Sequence, residues 1–242
     1  MITMQITAIR ARMQRLARPA YAAAAMRFFK TGRGEYGAGD HFMGLRVPQL
    51  RALAKEFATL EPAPLRALLR SRWHEQRLLA LIIMVEQSLR AAASQQAALR
   101  RLYLRELRYV NNWDLVDSSA AQLLRPQAGF ARLALLRRLA CSPQLWRRRV
   151  AVIATFDDIR RGEPELTMEL CVALLADTHD LMHKACGWML REAGKREPAR
   201  LRKFLRRHAA QMPRTMLRYA IERLPQPERL RILRASRPRV RK

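Results

Sequence analysis

Val47-Pro48-Gln49-Leu50-Arg51-Ala52-Leu53-Ala54-Lys55-Glu56-Phe57 decides the fold class of this chain. Leu50, Leu53, Ala54 and Phe57 fall at i, i+3, i+4 and i+7, the spacing that gathers apolar side chains on one face of an α-helix. Pro48 suits the first turn, where its missing N–H leaves no hydrogen bond unmade. Leu181, Ala185, Trp188 and Met189 repeat the pattern with one position of drift, and nearly every other segment has helical rather than strand periodicity. Further helix starts are expected near Pro143, Pro164, Pro198 and Pro213, with Asn112, Ser142 and Asp180 as N-caps. The connections are short, which favours antiparallel neighbours.

Outward from Arg51-Ala52-Leu53, a basic residue followed by small and apolar residues recurs as Arg77-Leu78-Leu79-Ala80, Arg149-Val150-Ala151, Lys184-Ala185-Cys186 and Arg218-Tyr219-Ala220. Asp117-Ser118-Ser119-Ala120 takes the same place, so the steps from Arg51 are 26, 40, 32, 35 and 34 residues. That period is near the length of a two-helix repeat. The fold class expected is therefore all-α: an irregular HEAT-like solenoid of antiparallel helix pairs, with one helix of each pair lining a concave basic face. Residues 1–236 form one domain in this reading. Thr31 to Asp40, with four glycines in ten residues, forms a loop or hairpin insertion, and residues 237–242 form a basic tail.

The composition narrows the partner. The 242 residues carry 47 Lys plus Arg against 20 Asp plus Glu, a net charge of +27, and half are apolar, enough for a substantial core. Six of the cations are lysines and 41 are arginines. Of the 44 residues from Ala199 to Lys242, 15 are basic and 2 acidic. A field of this sign favours a polyanion, with nucleic acid ahead of an anionic membrane surface. No secretory leader and no apolar run of roughly 18 residues is present, so no membrane span is expected. Cys141, Cys171 and Cys186 lie among apolar residues and are expected as buried reduced thiols in a cytoplasmic protein.

Asp117 stands out because it is the acid in a row of bases. Trp113 is four residues before it and shares its helix face; Trp188, four after Lys184, takes the same place on a later helix. Bland readings compete. Either indole could be core, Asp117 could be a structural partner of Arg149, and Asp114 at the second helical position suits the helix dipole. His179 and His183 are spaced as a possible metal pair, but no third ligand is evident, and neither metal nor cofactor is expected. The glycine-rich stretch lacks the Gly-Lys-Ser/Thr ending of a phosphate loop.

Asn111-Asn112-Trp113-Asp114-Leu115-Val116-Asp117 resembles the Trp-Asp-x-Val-Asp signature of the AlkD-type DNA alkylation repair family, the HEAT-like-repeat alkylpurine DNA glycosylases. Leu145-Trp146-Arg147-Arg148-Arg149-Val150-Ala151 and Lys184-Ala185-Cys186-Gly187-Trp188-Met189-Leu190-Arg191-Glu192 are similar to its two other landmarks. Phe42-Met43-Gly44-Leu45 resembles its N-terminal Phe-x-Gly segment. The resemblance implies a monomer that excises N3- and N7-alkylated purines from double-stranded DNA. It puts the catalytic acid on Asp117, the lesion contacts on Trp113 and Trp188, and a phosphate contact on Arg149. The basic column and its neighbours add Arg46, Arg77, Arg148, Lys184 and Arg218 as expected phosphate ligands. Two departures from the family pattern keep other readings open: Phe28 stands where the best-matched members have Tyr, and the glycine-rich insertion resembles one carried by some branches. The alternatives are a non-catalytic binder of branched or distorted DNA and a HEAT-type protein scaffold.

Overall fold

A computed structural model describes residues 2–127 and 130–236; the expected tail at 237–242 lies outside the described residues. Among those described there is no strand, only an isolated bridge between His41 and Trp73. No helix among them is long and apolar enough to cross a membrane. The chain divides into two compact units, Met1–Leu124 and Arg125–Lys242.

The first unit holds α1 (Ile2–Leu16), α2 (Pro19–Phe28), α3 (Val47–Glu56), α4 (Pro62–Leu69), α5 (His74–Arg90), α6 (Ala93–Arg105), α7 (Trp113–Asp117) and α8 (Ala120–Leu123). Helix α5 is its centre and packs against α3, α4, α6, α7 and α8. Leu79, Leu81, Ile83 and Met84 of α5 are fully buried, as are Leu50 of α3 and Leu65, Leu68 and Leu69 of α4. Of the face read from α3, Leu50, Leu53 and Ala54 are buried and Phe57, the C-cap residue, is half-buried, while Arg51 and Lys55 are exposed.

The second unit holds α9 (Arg132–Ala140), α10 (Leu145–Ile153), α11 (Phe156–Arg160), α12 (Glu165–Ala173), α13 (Asp180–Arg196), α14 (Pro198–His208), α15 (Arg214–Ala220) and α16 (Gln226–Ala235). Helix α13 is its centre, and α15 lies closest to it. A Cβ at Gly187 of α13 would stand 2.5 Å from Tyr219 Cβ and 2.6 Å from Met216 O. The absence of a side chain is therefore what lets the two helices approach. We expect Gly187→Ala to overpack this contact at a cost of about 1–3 kcal/mol. Thermal unfolding followed by circular dichroism checks this, and an unchanged midpoint contradicts it.

The glycine-rich stretch is a chain of turns rather than a hairpin, with positive φ at Gly34 and Gly39. It does not hang free, because Asp40 at its end is buried. Cys171 and Cys186 are buried free thiols as expected, but Cys141 is exposed, because it is the C-cap residue that ends α9.

Three helix starts share a device that shifts the repeat register. Ser71 Oγ accepts from Trp73 N at 3.1 Å and Arg77 donates back to Ser71 O at 2.9 Å. Ser142 Oγ accepts from Gln144 N at 3.2 Å and Arg148 donates to Ser142 O at 3.0 Å. Asp177 Oδ1 accepts from His179 N at 2.9 Å, and the His183 ring meets Asp177 O. In each, a short polar side chain turns the loop and a long one six residues later satisfies its carbonyl. This moves two expected N-caps: the cap positions are Gln144 and His179, not Ser142 and Asp180. Asn112 is an N-cap as expected, with its side chain accepting from Trp113 N at 2.8 Å.

Candidate active site

Helix α7 is five residues long, too short to hold itself by its own hydrogen bonds. Its position comes from tethers. Leu115 and Val116 are buried beneath it. Trp113, half-buried, stacks on Phe29 with ring centroids 5.4 Å apart at 20°, and Phe28 meets it edge-on at 5.9 Å. Phe28 itself is 64 % exposed.

The other tethers are polar. Asp40 accepts from Arg77 Nη2 at 2.7 Å, Asn111 Nδ2 at 3.3 Å and Asn112 Nδ2 at 3.2 Å, and lies 3.2 Å from His74 Nδ1. The opposite ring nitrogen, His74 Nε2, is 2.7 Å from Asp114 Oδ2. Asp114 is therefore the partner of a buried imidazole, beyond the dipole-complementing role its position suggests. Burial pushes the imidazole down, but the two carboxylates outweigh it and hold His74 above its usual value. Burial likewise opposes ionisation of Asp40, and His74, Arg77 and Asn112 overcome it, leaving Asp40 below the usual carboxylate range. The neighbouring Glu75 accepts from the backbone N–H groups of Met43, Gly44 and Leu45 at 2.7 to 3.3 Å. Gly44 is required there: its φ is +83°, and a Cβ would stand 2.1 Å from Arg18 O.

Asp117, half-buried at the end of α7, lines a cleft of about 690 Å³ within the first unit. The cleft has an apolar floor that includes Leu78, Ile82 and Val85 of α5. Arg51 and Lys55 of α3 and the three carboxylates Glu86, Asp114 and Asp117 also line it. A Gln122 oxygen and one Asp114 oxygen, both of residues that line the cleft, are buried without a hydrogen-bond partner. The cleft thus sets an acid against an apolar wall with cations at its edge, an arrangement suited to a ligand carrying both positive and phosphate charge.

The expected phosphate ligands separate into two groups. Arg46 and Arg218 are exposed, and Lys184 is partly so, with an i,i+4 pair to Asp180 at 2.7 Å. The Arg46 guanidinium lies 4.1 Å from the centroid of the Tyr21 ring. Arg77, Arg148 and Arg149 are engaged within the fold. Arg77 is 3 % exposed and spent on Asp40 and Ser71 O. Arg148 pairs with buried Asp177 at 2.6 Å and satisfies the Ser142 and Pro143 carbonyls. Arg149 is 5 % exposed and donates to Leu181 O at 2.6 Å, linking α10 to α13. Arg77 and Arg148 sit near helix starts, where loop carbonyls lack partners and a guanidinium supplies several donors at once.

In the second unit Trp188 is half-buried on α13. Its indole N–H donates to Glu192 Oε1 at 3.2 Å, and its ring is 6.0 Å from Phe156. Glu192 is also paired with Arg191 and Lys195. His179 caps α13 through its side chain, and the His183 ring meets Asp177 O.

The sequence model of the DNA alkylation repair enzyme family matches residues 9–224. The chain belongs to that family. Its fold is similar to that of a solved structure described as "Predicted DNA alkylation repair enzyme from Enterococcus faecalis", with a TM-score of 0.66 over 87 % of this chain and 97 % of that one. Identity to that protein is 18 %, so the likeness speaks for the fold. No curated protein matches the chain. The family match spans α7, the cleft and α13, and membership places the chain among enzymes of DNA alkylation repair.

Proposed function

We propose that this family member is a DNA glycosylase that hydrolyses the N-glycosidic bond of N3- or N7-alkylated purines in duplex DNA, with Asp117 as the catalytic carboxylate. The observation that carries this reading is Asp117 on the wall of an open cleft edged by Arg51 and Lys55. Alkylation at N3 or N7 makes the base cationic, so it departs as a neutral group and needs no proton from a general acid. The positive charge that develops on the deoxyribose is what a fixed carboxylate stabilises, and the same group can orient the attacking water. Trp113, one helical turn away and held by Phe29, offers an indole to the electropositive sugar. Trp188 is assigned the second nucleotide contact, an assignment that rests on its place in the motif.

The exposed Arg46, Arg51 and Arg218 and the partly exposed Lys184 are assigned to phosphates, a role that confers affinity without sequence preference. Neutralising any one of them should then reduce the slope of log affinity against log salt concentration by about 0.9. Duplex binding titrations of Arg46→Ala and Arg218→Ala between about 50 and 200 mM salt read this directly; slopes equal to wild type would remove those residues from the interface.

Incubation with methylated duplex and detection of free 7-methylguanine or 3-methyladenine tests the excision itself. Tight binding to a branched duplex with no base released would replace excision with structure-specific binding. Failure to bind any DNA at about 100 mM salt, where nonspecific phosphate contacts still hold, would leave a protein scaffold.

A further inference from the structure

The geometry points to His74 as a positioning residue that, by bridging Asp40 and Asp114, fixes α7 and the Trp113 and Asp117 it carries against the glycine-rich loop. His74 is 1 % exposed, and each ring nitrogen faces a carboxylate oxygen, at 3.2 Å for Asp40 and 2.7 Å for Asp114. A neutral imidazole has one N–H and would turn a bare lone pair toward the second acid; only the imidazolium donates to both. The charged groups that face the ring are Asp40 from the loop, Asp114 from α7 and Arg77 from its own helix. The remaining contacts are uncharged rings: Phe42 stacks on His74 at 4.5 Å and Phe29 lies at 4.9 Å. Phe29 also carries the Trp113 indole.

Losing the proton therefore acts on α7 twice. One acid of the bridge meets a lone pair, and the ring stack behind Trp113 loses its cation. Because the two carboxylates more than offset burial, the charged form persists to higher pH than in an ordinary histidine, and it is the alkaline side on which the bridge opens. Asn111 and Asn112 also reach Asp40, so α7 stays attached when the bridge opens but is less narrowly placed. A catalytic group misplaced by about 1 Å loses roughly 100-fold in rate.

The kinetic consequence rests on the excision reading; the structural one does not. Both are read on the full chain. Ring-resolved NMR of histidine should show His74 titrating above about 6.5, the ordinary histidine value. In protein labelled with 5-fluorotryptophan, the Trp113 fluorine resonance, identified by Trp113→Phe, should move with the same midpoint. Single-turnover release from methylated duplex should fall on the alkaline side with that midpoint. In His74→Gln the rate should be about 10- to 100-fold lower, without that alkaline limb. A His74 that titrates at or below about 6.5, a Trp113 resonance indifferent to its titration, or an alkaline limb that survives in His74→Gln overturns the proposal. Should wild type release no base, the excision reading fails, and the two wild-type resonance titrations still decide the tether.

Discussion

Asp117→Asn should slow single-turnover release of 7-methylguanine by on the order of 10²–10³-fold, the loss seen when a preorganised electrostatic group is removed from a developing charge. The amide keeps the size of the carboxylate, so the cleft wall stays filled. What disappears is the negative charge opposite the sugar, which matters most in the transition state and little in the bound ground state. Affinity for duplex DNA should therefore be retained or rise slightly, because a carboxylate near phosphates repels them. This split between rate and binding separates a catalytic carboxylate from a structural one. Equal loss of both, accompanied by a lower unfolding midpoint, would show Asp117 to be a structural partner within the fold.

Asp40→Asn should be the most destabilising single change in the first unit. Asp40 faces the Arg77 guanidinium at 2.7 Å and the His74 ring at 3.2 Å, with all three residues nearly excluded from water. The amide removes the counter-charge and leaves the buried Arg77 cation behind, which costs about 3–5 kcal/mol when one partner of a buried pair is lost. For a chain of this size that corresponds to about 6–20 °C in the midpoint of the affected transition. Thermal unfolding followed by far-ultraviolet circular dichroism measures it. A midpoint within about 2 °C of wild type, well under the shift from one lost buried pair, would show that the cluster is not held by charge.

The all-helical fold was legible because apolar spacing is a local signal: the buried face of α3 and the N-cap of α7 follow from residues within one or two turns. The Trp-Asp-x-Val-Asp run was legible for the same reason. What could not be read was the set of groups that holds it. Asp40 reaches His74, Arg77 and Asn112 across 34, 37 and 72 residues of sequence, and no periodicity spans such distances. One signal was available: His74-Glu75-Gln76-Arg77 places four polar residues at the head of a helix that continues as Leu78-Leu79-Ala80-Leu81, and all four are buried. A polar run inside an apolar face announces partners elsewhere.

The division within the basic column was hidden for a different reason. Aligning Arg77 with Arg149 and Lys184 matched charge to charge, whereas the loop carbonyls align Arg77 with Arg148 and His183, 71 and 35 residues apart. The cations of that column therefore do not share one role. Some serve the loops and others, Arg218 among them, are left to the surface. Asp117 still lines the cleft, and its assignment does not depend on the column.

The most direct test is mass-spectrometric counting of free base after one turnover of wild-type protein on a duplex of known 7-methylguanine content. Release of the base in proportion to the lesions, leaving abasic sites in the strand, is the result this account predicts. A duplex that is bound yet keeps every methylated base would contradict it.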